Sequence, residues 1–272
     1  MSFKALIADD ITVAEPNEQL GRFAGSPKEP SMDHKIVARE EWIEARKALL
    51  AKEKEWTRLR DRLSTERRAL PWVRIEKKYL FEGPKGAETL SDLFGGRSQL
   101  AIKHFMLGPG WRDPCVGCSF EVDHIDGVIV HLEHHDVSYV AVSRAPYSEI
   151  AAIQERMGWR FKWVSSFGSD FNYDFNVSFT HEQIAAGRAV YNYREDTAPM
   201  EEMSGRSIFY KNEGGEIFHT YSSFARGGEV MLSTYALLDM MPKGRNEKNN
   251  LTDWVKLHDR YVSVAEEAGD CH

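Results

Sequence analysis

Residues 100–118 read LAIKHFMLGPGWRDPCVGC, and this stretch decides the fold. Its first part, residues 100–106, is mostly apolar and is typical of a buried strand. Glycine and proline at residues 108–110 end that strand, and Cys115 and Cys118 follow with two residues between them. Apolar residues then recur on one face from Cys118 to about position 135, which predicts a helix. The stretch therefore predicts a strand, a loop with two cysteines, and a helix.

Strands and helices continue to alternate after the cysteines. Residues 137–142 are apolar and predict a second strand, which is followed by a helix that ends at Gly158. Two alternating runs, residues 206–210 and 216–221, flank a glycine-containing connection and predict a β-hairpin, and residues 230–238 predict a further helix. Helices between apolar strands imply parallel strand pairing. The order β-α-β-α-β-β-α thus predicts an α/β fold with a mixed central sheet between two helical layers.

A long charged helix is predicted before this domain. Residues 38–68 contain no glycine or proline, and large apolar residues recur at every seventh position. The spacing predicts one apolar stripe along the helix, formed by Trp42, Leu49, Trp56 and Leu63. This stripe either packs on the chain's own domain or forms a homodimer contact through Trp42 and Trp56, because tryptophans are common interface anchors.

These patterns divide the chain into four segments. Residues 1–34 are an N-terminal extension, 35–70 the long helix, 71–240 the α/β domain and 241–272 a polar C-terminal tail. A short helix is expected in the tail around residues 254–261.

The composition excludes several classes of function. The net charge of −7 gives no basic face for nucleic acid, and no apolar run approaches the about 20 residues that cross a bilayer. The first residues do not resemble a signal peptide, so we expect a cytoplasmic protein. Three cysteines do not make a disulfide framework, and Cys271, next to the end, is expected to be a bystander.

The position of the cysteine pair predicts thiol–disulfide chemistry. Unpaired N–H groups and the helix dipole favour a thiolate at a helix N-terminus, and the thiolate is the form of cysteine that attacks. Cys115, the first cysteine, is predicted to be the nucleophile, and Cys118 is predicted to break a mixed disulfide. This chemistry needs no cofactor. The substrate would be a protein or small-molecule disulfide, or a peroxide.

Other functions are compatible with the same residues. The pair could form half of a zinc or copper site, although the spaced histidines His131 and His135 lie roughly 20–25 Å along the helix from it. Peroxiredoxin-type chemistry is a further alternative, but it uses a threonine three residues before the nucleophile, and this position holds Arg112. A third alternative is a non-catalytic scaffold that binds a partner through the tryptophan-bearing helix.

The chain is also similar to a known family over about residues 35–245. The motifs that carry the resemblance are DLFGGRS at 92–98, HFM at 104–106, CVGCSF at 115–120, VAVSRAP at 140–146, MGW at 157–159, SSFGSDFNYDF at 165–175 and HTYS at 219–222. They resemble the bacterial domain-of-unknown-function family eight-nine-nine. The resemblance implies a thioredoxin-like fold and a dithiol–disulfide oxidoreductase, without naming a substrate.

The chain departs from the resemblance at two places. Glu121 follows the CSF motif, where family members often have an aromatic residue. Thioredoxin-like folds usually carry a cis-proline before the first hairpin strand, but residues 203–205 read MSG. Because a cis peptide is rare without proline, we expect substrates to dock differently from those of ordinary thioredoxins.

Five further residues are predicted to support the site. Arg144 follows the strand next to the cysteine loop and would stabilise the thiolate or bind an acidic substrate, or else form a structural ion pair. Trp111 and Arg112 flank the pair and could contact a partner, with core packing as the alternative for Trp111. Tyr173 and Asp174 could line a pocket, or satisfy the backbone of a packed loop.

Overall fold

The computed structural model describes residues 34–195, 200–248 and 253–261. Apart from His34, the predicted N-terminal extension lies outside the described residues, and so does Cys271. The chain divides at Leu70 into a unit that holds the long helix and a unit that holds the sheet.

Helix α1 (Arg39–Arg68) confirms the predicted long helix. Its first turn carries acidic residues and its last turn basic ones, which both complement the helix dipole. No residue of α1 is buried among the residues that the structure describes, and Trp42 and Trp56 are 53% and 60% exposed. The apolar stripe is therefore left open.

An eight-stranded mixed sheet forms the second unit, in the order β1-β8-β7-β4-β5-β6-β2-β3. The strands are β1 (Val73–Arg74), β2 (Leu80–Gly83), β3 (Gly86–Thr89), β4 (Gln99–His104), β5 (Val137–Ser143), β6 (Lys162–Ser165), β7 (Gly205–Lys211) and β8 (Ile217–Phe224). Strand β4 pairs in parallel with β5 and antiparallel with β7, which forms the predicted hairpin with β8.

The helices connect the strands on both sides of the sheet. They are α2 (Leu90–Leu93), α3 (Val116–Asp123), α4 (Ile129–His134), α5 (Tyr147–Met157), α6 (Phe171–Asp174), α7 (His181–Ala185) and α8 (Ser233–Leu238), with 3-10 turns at Ala225–Met231 and His258–Arg260. Four adjacent strands, β5-β4-β7-β8, with α3 and α4 between β4 and β5, have the strand order and directions of a thioredoxin-like core. The predicted α/β fold with a mixed sheet is confirmed.

Two buried apolar clusters lie on the two faces of this sheet. Alternate residues of β5 divide between them, so that Val140 and Val142 belong to one cluster and Ala141 to the other. Cys118 packs in the same cluster as Ala141, together with Ile150 of α5. The cysteine pair therefore lies on the face of the sheet that α3 and α5 cover.

The helix predicted from Cys118 to about residue 135 is wrong as a single element. It is broken between Asp123 and Ile129 into α3 and α4. Asp126 in the break accepts hydrogen bonds from the backbone N–H groups of Arg160 and Phe161 at 2.8 and 3.0 Å, which ties the bend to the chain that enters β6. The helix expected around residues 254–261 is likewise only the short turn His258–Arg260 in the described residues 253–261.

Candidate functional site

Cys115 and Cys118 lie at the beginning of α3, where Cys115 is the N-cap residue. The Sγ atom of Cys115 accepts a hydrogen bond from the backbone N–H of Cys118, with an N–S distance of 3.4 Å. Both thiols are free; Cys118 is 2% exposed and Cys115 is half-buried. An N–H group that points at a sulfur favours its thiolate. The local geometry thus matches what a reactive cysteine requires.

The two thiols share their protons unevenly. Burial by itself would raise the pKa of Cys118, but a hydrogen bond with Cys115 and the positive charge of Lys103 lower it to about 6. The pKa of Cys115 is raised well above its usual value, first because its proton is held in that hydrogen bond and second because the site is buried. The pair therefore gives up one proton readily and holds the other firmly.

A buried cluster of charged side chains lies beside the pair. Lys103 of β4 is fully buried, and its Nζ atom donates to Oε2 of Glu121 at 2.8 Å and to Oγ of Ser204 at 2.7 Å. Arg206 of β7 donates from Nε to Oε1 of Glu121 at 2.8 Å and from Nη2 to Oε2. Burial opposes the charge of Glu121, yet Lys103 and Arg206 hold its pKa below the usual value. Glu121 is therefore a carboxylate at neutral pH.

A cavity of about 130 Å³ connects the cysteines with this cluster. Cys115, Cys118, Glu121 and Arg206 all line it, and most of its remaining wall is apolar. The apolar and aromatic lining residues are Met106, Phe120, Tyr191, Met203, Leu232 and Tyr235. The site is thus a small apolar pocket with a thiol pair and a guanidinium in its wall.

The 3-10 turn Ala225–Met231 forms one side of this pocket. Gly228 in the turn packs directly on Arg206. A Cβ atom at this position would therefore overlap the guanidinium group. The absence of a side chain at Gly228 is therefore what allows Arg206 to reach Glu121.

Arg144 belongs to a different buried cluster. Its Nε donates to Oε1 of Glu202 at 2.5 Å, and its Nη1 donates to the hydroxyl of Tyr173 at 2.8 Å. Ser178 donates to the other carboxylate oxygen of Glu202 at 2.7 Å. The two predicted site residues Arg144 and Tyr173 are thus bonded to each other, but neither lines the cavity.

The remaining predicted site residues lie around the pair at different places. Trp111 is partly buried and packs in the same apolar cluster as Cys115, whereas Arg112 is exposed. Asp174 accepts hydrogen bonds from Nζ of Lys77 at 2.6 Å and from the hydroxyl of Tyr79 at 2.8 Å. None of these three residues lines the cavity, and their roles at the site stay predictions.

Sequence reasoning missed the three charged residues of the buried cluster. Lys103 interrupts the apolar run of β4, and Glu121 stands in a helix whose neighbouring residues are buried. A charged residue at a position that the hydrophobic pattern buries is unusual, because burying a charge without a partner is unfavourable. That signal was present at Glu121, whose departure from the family pattern was visible in the sequence.

Two histidines, His124 and His104, hydrogen-bond other groups of the chain. His124 contacts the carbonyl oxygen of Phe120 at 2.6 Å and Oγ1 of Thr234 at 2.7 Å through its two ring nitrogens. His104 hydrogen-bonds Ser207 at 2.8 Å. Among residues 34–195, 200–248 and 253–261, no three His, Cys, Asp or Glu side chains come together as a metal site would need.

The described residues also contain no helix long and apolar enough to span a membrane. A comparison with curated proteins finds no match.

Solved structures with a related arrangement include redox proteins of several bacteria. The peroxidoxin BcpB from Mycobacterium tuberculosis is 14% identical, with a TM-score of 0.39 over 61% of this chain and 95% of its own. PrxQ from Xylella fastidiosa is 14% identical, with a TM-score of 0.38 over 58% and 88%. A structure from Chlorobium tepidum, whose assignment as the thiol:disulfide interchange protein DsbE is itself an inference, is 12% identical. Its TM-score is 0.36 over 62% of this chain and 97% of its own.

A family model matches most of the chain, from residue 31 to residue 261. The family is described as bacterial protein of unknown function, DUF899. The match includes the cysteine loop, the hairpin and the long helix, and it confirms the resemblance seen in the sequence motifs. The chain belongs to this family.

Proposed function

We propose that this protein is a thiol–disulfide oxidoreductase that uses Cys115 and Cys118. The observation that carries the proposal is that both thiols line one cavity at the beginning of α3, with the Cys118 N–H directed at Sγ of Cys115. The low pKa of the pair's first proton supplies a thiolate near neutral pH. Such thiolates are the nucleophiles of disulfide exchange.

The difference in exposure supports different roles for the two cysteines. Cys115 is half-buried at the cavity wall, whereas Cys118 is almost fully buried. In the reductive direction, Cys115 passes its proton to the Cys118 thiolate and attacks one sulfur of a substrate disulfide, which releases the other sulfur as a thiolate. Cys118 then attacks Sγ of Cys115, frees the second substrate sulfur and leaves the Cys115–Cys118 disulfide. Two electrons pass from the pair to the substrate, and the oxidative direction is the reverse.

The proposal is tested by following the pair in thiol buffers. Protein is equilibrated in graded mixtures of reduced and oxidised glutathione and then alkylated. Mass spectrometry should show that Cys115 and Cys118 lose their alkyl labels together, and reversibly, as the mixture becomes more oxidising. A pair that stays reduced at every ratio contradicts the proposal.

Trapping identifies the attacking cysteine and its substrate. The Cys118→Ser variant should hold substrates as mixed disulfides on Cys115, because the thiol that releases them is gone. The matched Cys115→Ser variant should trap far less at the site, since Cys118, the thiol that it keeps there, is buried. Equal trapping by both variants would contradict the assigned roles.

We also propose that a second copy of the chain covers the stripe on α1. The stripe residues occupy one of the two seam positions of the seven-residue repeat that supercoiled helices use, and Ala45 and Leu59 occupy the other seam position in alternate repeats. In a parallel pair, Glu41 and Glu55 lie across the seam from Arg46 and Arg60 of the second copy, and these pairs attract. The arginines at positions 62 and 67 also face each other across the seam, and this pair repels.

Sedimentation of the full chain tests this second proposal. The protein should be a dimer that Trp56→Glu dissociates, because a charge then lies in the seam. Arg58→Glu, on the same helix but outside the stripe, should leave the dimer intact. A monomeric protein at all concentrations would overturn the proposed dimer.

A further inference from the structure

The buried cluster beside the cysteines contains more positive than negative charge. Lys103 and Arg206 are two cations, and Glu121 is the one carboxylate of the described residues that contacts them. Lys103 is fully buried, and the side chains of Glu121 and Arg206 are only 6% and 12% exposed. Nη1 of Arg206 is buried and has no hydrogen-bond partner among the described residues. An unmatched buried charge is strongly unfavourable, so the cluster requires one further negative charge.

The other carboxylates near the cavity are already matched. Glu229 lines the cavity, but its two oxygens bind Arg226 and Arg245. Glu202 is bound by Arg144 and Ser178. Among the described residues, the remaining source of negative charge in the cavity wall is the cysteine pair, whose thiolate Lys103 stabilises. When one of the two cysteines is a thiolate, the group formed by the two cations, the carboxylate and the cysteine pair has no net charge.

Oxidation of the pair removes this balancing charge. A disulfide is neutral, so the oxidised protein keeps one unmatched positive charge buried between β4, β7 and α3. The reduced form with one thiolate has no such excess. The electrostatic energy of the cluster therefore favours the reduced pair over the disulfide, and stabilising the reduced form makes a disulfide a stronger oxidant.

We propose that the Lys103–Glu121–Arg206 cluster makes the Cys115–Cys118 disulfide oxidising, so that the protein transfers its disulfide to dithiol substrates. This inference rests on the proposed function and gives it a direction. Lys103, Glu121 and Arg206 act as positioning residues through their charge.

The transfer balances as follows. A substrate with two thiols gives two electrons to the Cys115–Cys118 disulfide and becomes a disulfide itself. Of its two protons, one stays on the pair, which becomes one thiol and one thiolate, and the other is released to water. A low-molecular-weight disulfide, such as oxidised glutathione, regenerates the oxidised pair by the same exchange in reverse.

Two variants of the cluster should move the equilibrium in opposite directions. Lys103→Met removes the excess cation, so the disulfide should become at least tenfold more favourable against glutathione at pH 7, which corresponds to about 30 mV. Glu121→Gln adds to the excess, so the disulfide should become at least tenfold less favourable. Each substitution breaks a hydrogen bond of the same cluster, and a purely structural role would move both equilibria in the same direction.

Further variants provide controls. Arg206→Met should follow Lys103→Met, whereas Arg206→Lys keeps the positive charge and should shift the equilibrium less than Arg206→Met does. Lys162→Met removes a partly buried lysine paired with Glu88 elsewhere in the sheet, and should leave the equilibrium unchanged. If Glu121→Gln does not fold, Lys103→Met and the two Arg206 variants decide the matter.

The outcomes separate this inference from the function on which it rests. If the wild-type pair never forms a disulfide, the proposed function fails. If the disulfide forms but Lys103→Met leaves its equilibrium unchanged, or shifts it in the same direction as Glu121→Gln, the oxidoreductase stands and the oxidising direction is overturned.

Discussion

Two buried arginine–glutamate clusters in this protein differ in how completely their charges are matched. In the first, Arg144 binds Glu202 and Tyr173, and Ser178 satisfies the second oxygen of Glu202. In the second, Glu121 is bound by two cations, and Arg206 keeps an unpartnered N–H group within the described structure. Only the second cluster lines the cavity with the cysteines.

If the proposed function holds, the difference distinguishes a structural contact from one that acts on the cysteines. A matched pair fixes the neighbouring loops and gains nothing from a further ligand. An unmatched cation is stabilised by any negative charge that approaches it, and the cavity that Arg206 lines also holds the two cysteines. The net charge of a buried cluster is thus more informative than the number of charged groups in it.

The largest expected effect is on stability, and it separates the two clusters directly. Arg144→Met leaves Glu202 buried without its cation and should lower the free energy of unfolding by about 3–5 kcal/mol. Lys103→Met should lower it by about 1 kcal/mol or less, because Glu121 keeps Arg206 and the excess charge is relieved. Urea unfolding at pH 7 measures both values. Equal losses would show that the second cluster is matched like the first.

The next effect is a dependence of stability on pH that the cysteine pair at the cavity should produce. The pKa of Cys118 is about 6 in the folded protein, against an ordinary value of 9.0. Between these values the unfolded chain binds the proton and the folded one does not, so the free energy of unfolding of the reduced protein should rise from pH 6 to pH 9. This stability is lost as the pH falls through 6.

Unfolding titrations under reducing conditions check this slope against a matched variant. Cys118→Ser should remove most of the rise, and Lys103→Met should reduce it, whereas Lys162→Met should retain it. A flat profile in the wild-type protein would argue against a stabilised thiolate.

A smaller effect is expected at Gly228. Gly228→Ala should displace Arg206 from Glu121 and lower the free energy of unfolding by about 1–3 kcal/mol. It should also raise the pH at which the thiolate absorbs in the ultraviolet, because one stabilising charge moves away. Gly127→Ala, where an added methyl group meets open space, is the matched control. A Gly228→Ala protein with an unchanged thiolate titration would separate Arg206 from the cysteines.

Hydrophobic patterning predicted the parts of the fold that local physics determines. The long helix, β4, β5, the helix that ends at Gly158 and the β7–β8 hairpin all follow from apolar spacing and from glycine at the turns. Strand β6 and the break between α3 and α4 depend on tertiary contacts, such as those of Asp126 with the chain before β6. No local pattern encodes those contacts.

The site was predictable only in part for a similar reason. The cysteine spacing and the position at a helix N-terminus could be read from the chain, and both thiols do line a cavity. Arg144 was a reasonable candidate because it follows the strand beside the cysteine loop. Sequence position alone does not reveal that Glu202 binds it. Lys103 and Arg206 lie 103 positions apart, on strands that pair only in the folded sheet, where they face each other in register.

The ends of the sheet have a consequence for the protein at high concentration. In the described structure the two outermost strands are β1, of two residues, and β3, of four. An exposed sheet edge is a template on which a second molecule can add a strand, and a very short edge gives that strand few partners. Aggregation through the sheet edges should therefore be slow, even if two copies associate through the apolar stripe of α1 as proposed.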